Sequence, residues 1–126
     1  MSDEKVIKIN SYKDLVVWQK SVELVVEVYR ITKKFPRSEQ FAITSQIQRA
    51  AVSVPANIAE GYGRNTRNEY VHFLRIAGGS LLELEILLTI AKKISYVSPE
   101  ECSTLEKQLG DVARMLYALR KSISNA

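Results

Sequence analysis

From Tyr12 to Ile123, apolar side chains recur every three or four residues with little interruption. At about 100° per residue that spacing gathers them along one side of a helix. The 126 residues include only five glycines and three prolines, too few for the many turns of an all-β chain. A chain this long makes one domain. The fold class expected is therefore all-α: an antiparallel up-down four-helix bundle over residues 12–124, preceded by a flexible N-terminal tail, residues 1–11.

The first helix is expected from Tyr12 to about Phe35 and carries two apolar rows. One is Leu15, Trp18, Val22, Val25, Tyr29 and Thr32; the other is Val17, Leu24, Val28, Ile31 and Phe35. A charged ladder (Lys20, Glu23, Glu27, Arg30, Lys34) runs opposite. Phe35-Pro36 ends it, because a residue before proline avoids helical geometry. The second helix, about Ser38 to Glu60, holds Pro55 in its interior. An interior proline costs about 3 kcal/mol and frees the carbonyl four residues back. Gly61 and Gly63 are read as its C-terminal stop. Thr66 to Glu69 reads as a capping box opening a third helix that reaches about Ile94. Its main stripe is Tyr70, Leu74, Ala77, Leu81, Leu84, Leu88 and Ala91, with a second row of Ile76, Leu87, Ile90 and Ile94. Ser98-Pro99-Glu100-Glu101 is a further capping box, starting a fourth helix that is apolar on one side only.

A bundle helix needs one apolar face, and helices one and three carry two. Four helices cannot cover both of them on all sides, so the second rows, with Ile76 and Leu87, are expected to be subunit surfaces. Trp18 and Pro55 belong with these packing positions. Gly78-Gly79 inside helix three suggests close helix packing. Glu83 falls on the second row and should be paired or hydrogen-bonded there, with Asn57 and Glu60 in similar structural roles.

Catalytic patterns are scarce. Glu69 and His72 form the Glu-x-x-His unit of di-iron bundles, but those need it twice and this chain has one histidine. One cysteine and one histidine cannot make a zinc site. Cys102, in the first turn of helix four, has a thiol that the helix dipole could activate; the plainer reading is structural. The expectation is a non-enzyme without metal or cofactor. No segment is long and apolar enough to cross a membrane, no secretion signal opens the chain, and a lone cysteine fits the cytoplasm.

Charge is uneven. Residues 1–37 hold eight Lys/Arg against five Asp/Glu, whereas residues 76–126 hold six of each. The turn between helices two and three gathers Arg64, Asn65 and Arg67 at a helix N-terminus, where free N–H groups favour anions. Arg49 and Arg75 lie up the flanking helices. The turn admits two readings, a phosphate-binding site or a polar turn whose arginines are merely solvated.

Two strings carry a family resemblance: Gln46 to Gly61, above all Asn57-Ile58-Ala59-Glu60-Gly61, and Phe73 to Glu85 with Gly78-Gly79-Ser80. Leu15-Val16-Val17-Trp18 and Phe35-Pro36 agree with them. The chain resembles the four-helix-bundle family of 23S rRNA intervening-sequence proteins, or S23 ribosomal protein-like proteins. More distantly it is similar to the accessory protein of diversity-generating retroelements. The resemblance implies a homopentameric ring, an association with RNA or other nucleic acid, and no catalysis. The alternative it leaves is a protein-interaction scaffold for a separate enzyme such as a reverse transcriptase.

Overall fold

The computed structural model describes residues 10–125; residues 1–9, most of the expected tail, lie outside them. Four helices follow one another: α1 (Val16–Thr32), α2 (Ile43–Tyr62), α3 (Arg67–Lys93) and α4 (Pro99–Asn125). Each packs on its sequence neighbours, and α4 closes back onto α1. The diagonal pairs are α1 with α3 and α2 with α4.

Two helices start later than the periodicity suggests. Ser11 and Asp14 close a capping box around a 3-10 turn at Tyr12–Asp14, and Leu15 is extended (ψ 124°), so α1 begins at Val16. After Pro36, a second 3-10 turn, Arg37–Glu39, is pinned by the Tyr96 hydroxyl donating to Glu39 Oε2 at 2.9 Å. The non-helical backbone of Ala42 (φ −122°, ψ −114°) then delays α2 to Ile43. Side-chain hydrogen bonds of this kind compete locally with helix, and apolar spacing does not reveal them.

Pro55 is buried, and α2 runs through it to Tyr62. The glycines at its end do not act through left-handed backbone. Among the described residues no glycine has positive φ; Ser95 does, at 67°, in the α3–α4 connection. Gly61 sits inside α2 because of packing: a Cβ there would lie 2.9 Å from Phe73 Cβ and 3.1 Å from the Tyr70 carbonyl oxygen. At the start of α4 the capping box is complete, with Glu101 N donating to Ser98 Oγ (3.1 Å) and Ser98 N to Glu101 Oε1 (3.3 Å). At α3 only half of it forms, Glu69 N donating to Thr66 Oγ1 at 3.1 Å.

The core takes Leu24, Val28 and Ile31 from α1, Ile47, Val54 and Ile58 from α2, Leu74 and Leu84 from α3, and Leu105 and Val112 from α4. The α1 assignment reverses the expectation. The row Val17, Leu24, Val28, Ile31, Phe35 is buried, whereas Trp18, Val22 and Val25 are half-buried and Tyr29 is exposed. Periodicity cannot choose between two equally apolar rows; the flanking helices do. Ser21 joins the buried row because its hydroxyl is satisfied by the Trp18 carbonyl at 2.7 Å. On α3, Leu87 is likewise a core residue and not a subunit surface: it lies one turn from Leu84 and Ala91 and is only 9% exposed. The outer face of α3 carries Ile76, Ile86 and Ile90, all exposed, with exposed Ile94 just past its end and exposed Leu82 on the side toward α4.

Candidate nucleic-acid interface

The structure separates the five polar residues singled out in sequence. Arg49 lines a groove of about 880 Å³ with Tyr29, Ser80 and Glu83, on the outer side of α2. Glu83 is exposed and, among the described residues, makes no hydrogen bond or ion pair, contrary to the expectation of a satisfied carboxylate. Burial was the reason to expect a partner, and Glu83 is not buried. Ser53 beneath that groove is well satisfied. The Asn57 amide donates to its carbonyl and hydroxyl oxygens at 2.8 and 2.9 Å, and the Ser80 hydroxyl donates to its Oγ at 2.7 Å, tying α2 to α3.

Arg64 is already engaged. It pairs with Glu60 at 2.6 Å, and its guanidinium carbon stands 4.7 Å from the centroid of the Phe73 ring. Asn65 is exposed in the bend that follows. Gly61, with no side chain, lets Phe73 and Tyr70 close over α2. Burial, and after it the charge of Tyr62, pushes the Tyr70 phenol up to about 12.

Arg67 and Arg75 do converge. With Asn68, Val71 and His72 of α3 and Ser124 of α4 they line a pocket of about 400 Å³. Helical spacing makes this possible: Arg67 and Arg75 are about two turns apart, and α4 runs antiparallel alongside. Thr66 caps the helix directly beneath Arg67, so the positive end of the α3 dipole reinforces that guanidinium.

Sequence reading missed the other half of this edge. Arg120 and Lys121 lie within about one turn of Ser124, stacked on Tyr117 at 5.6 and 5.9 Å from its ring centroid. Among the described residues none of Arg67, Arg75, Arg120 and Lys121 takes part in an ion pair. The balanced charge of residues 76–126 conceals them. Glu100 and Glu101 stand at the opposite end of α4, roughly 30 Å away at 1.5 Å per residue. Asp111, midway, is taken by Arg114. A signal was available: the acids of the fourth helix lead and its bases trail.

The thiol of Cys102 is not activated. It is 1% exposed and 3.7 Å from Glu106 Oε2; burial first, then that carboxylate, pushes its pKa up despite the helix dipole. Among the described residues no three of His, Cys, Asp and Glu gather where they could hold a metal, and no helix is long and apolar enough to cross a membrane. What the edge offers is fixed positive charge beside a helix N-terminus, which suits phosphate.

A family model described as 23S rRNA-intervening sequence protein matches residues 13–118. Among solved structures, a protein of unknown function from the S23 ribosomal protein family of Bacteroides thetaiotaomicron VPI-5482 is similar, with a TM-score of 0.79 and 26% identity. The match covers 86% of this chain and 98% of that one. No curated protein matches the chain.

Proposed function

From its membership of the 23S rRNA-intervening sequence protein family, to which this chain belongs, we propose that it is a non-catalytic, cytoplasmic, self-associating protein that binds RNA or another nucleic acid. The observation that carries this reading is the unpaired basic edge of Arg67, Arg75, Arg120 and Lys121, joined by His72 and the α3 N-terminus. Four such charges neutralise few phosphates. At about 0.7–0.9 per phosphate in log K per decade of salt, one copy binds weakly at physiological ionic strength. Several copies in one particle engage one strand together and raise affinity without new contacts.

Self-association has its own support. Ile86 is 52% exposed and Ile90 44%, on the outer face of α3, while Val26 is 63% exposed on the diagonal helix α1. Apolar patches on different sides of one chain suit head-to-tail contacts, which close into rings. A ring of five is the stoichiometry that the family resemblance implies.

The test is a titration with structured RNA over a range of salt concentrations, with light scattering on the same sample. This reading expects a particle several times the 14.3 kDa chain mass and an affinity that falls steeply with salt and depends little on sequence. A 14.3 kDa particle with no RNA affinity at low salt would rule it out and leave the scaffold alternative.

A further inference from the structure

Two glycines inside helices open a slot between α3 and α4. A helical glycine costs about 1 kcal/mol relative to alanine, so it calls for a reason. Packing within the chain supplies none. A Cβ on Gly78 would rest 3.8 Å from Leu116 Cδ2, an ordinary contact, and one on Gly110 would meet only the movable end of Arg114 at 3.4 Å. Between them lies a cavity of about 420 Å³ with Leu82, Leu116, Tyr117 and Arg120 in its walls. Tyr117 is 56% exposed and has Arg120 and Lys121 against its ring.

We propose that this slot receives an unpaired base of single-stranded nucleic acid, stacked against Tyr117, while adjacent phosphates are held by Arg120, Lys121 and the Arg67–Arg75 edge. The inference rests on the nucleic-acid reading above and narrows it to a substrate class. An exposed ring with cations lying over it is what a flexible strand needs: a base takes the place of the cations on the ring, and the displaced cations take the backbone. A duplex keeps its bases stacked inside and can reach the cations alone. The slot is also polarised. Glu85 and Glu106 stand at the end away from Arg120. They repel phosphate there, so the backbone stays over the basic end and the uncharged base is the part that enters. Carboxylates in that position also accept hydrogen bonds from amino groups on a base edge.

The experiment uses the full chain, a short labelled oligoadenylate RNA, and a blunt-ended RNA duplex. Tyr117→Ala, at an exposed position, is expected to weaken oligoadenylate binding roughly tenfold to a hundredfold and to leave duplex binding almost unchanged. Tyr117→Phe keeps the ring and is expected to keep the affinity. Gly110→Leu fills the slot from its floor and is expected to weaken oligoadenylate binding while raising thermal stability. Undiminished oligoadenylate binding by Tyr117→Ala would overturn the slot even if Arg67→Glu with Arg75→Glu abolished binding, because the basic edge would then act alone. Failure of the unaltered chain to bind either RNA at low salt would overturn both readings. A fall in particle mass for Gly110→Leu with RNA affinity intact would make the slot a contact between copies, and the inference would be wrong.

Discussion

Gly61 and the trio Gly78, Gly79 and Gly110 all lie inside helices, yet they occupy opposite environments. Around Gly61 the chain closes so tightly that one added carbon would meet Phe73 Cβ at 2.9 Å. A Cβ on Gly79 would meet no neighbour within 4 Å, and one on Gly78 or Gly110 would make only ordinary contacts, at 3.8 and 3.4 Å. The first glycine is needed by the monomer. The other three weaken their helices with no return inside the chain, so their justification lies outside it, in another copy or a ligand. A sequence shows the same letter in both places; only the neighbours tell them apart.

Pairs of substitutions, one in each environment, sharpen this contrast. The largest effect belongs to charge placed on α3. Leu87→Asp buries a carboxylate in the core and is expected to cost about 3–5 kcal/mol, seen as unfolding at much lower urea. Ile90→Asp, one turn on and 44% exposed, is expected to leave helicity intact while reducing the particle mass by light scattering. Equal destabilisation by the two would erase the distinction between core and outer face.

Next in size is alanine at the glycines. Gly61→Ala forces Phe73 and the Tyr70 backbone apart and is expected to destabilise by about 1–3 kcal/mol in chemical unfolding. Gly79→Ala meets no neighbour and gains helix propensity, so it is expected to stabilise the chain by about 0.5–1 kcal/mol. A destabilising Gly79→Ala would mean that this glycine has an internal role after all.

The effect confined to the narrowest conditions concerns pH. An unfolded tyrosine ionises near 10, whereas Tyr70 in the fold is pushed up to about 12. Between those values the unfolded chain gives up this proton and the folded chain keeps it, so the Tyr70 contribution to stability is lost as pH rises from about 10 to about 12. Tyr70→Phe removes that decline, and the difference between the two unfolding curves measures it. Identical alkaline curves would place Tyr70 in water.

The number and order of the helices were legible because amphipathic periodicity and two capping signals, Thr66 and Ser98, mark them plainly. Leu74, Leu84 and Leu105 could be placed in the core for the same reason. The facing of α1 could not, since Val17 and Trp18 begin equally apolar rows and the neighbouring helices decide between them. Part of the candidate site was legible in Arg67 and Arg75. The engagement of Arg64 was not read from the sequence, because its partners, Glu60 and Phe73, come from the helices on either side of the turn. Arg120 and Lys121 were overlooked because net charge over a segment says nothing about the end of a helix on which each sign falls.

The placement of the basic edge is most directly tested by comparing two charge reversals for RNA affinity at one low salt concentration, with helicity and particle mass as controls. Arg67→Glu with Arg75→Glu is expected to reduce affinity at least tenfold, because it inverts the charge of the pocket shared with Ser124. Arg64→Glu is expected to change it less than threefold, because that guanidinium is already held by Glu60 and Phe73. The reverse order, with Arg64→Glu the more damaging, would return the site to the α2–α3 turn and contradict the account.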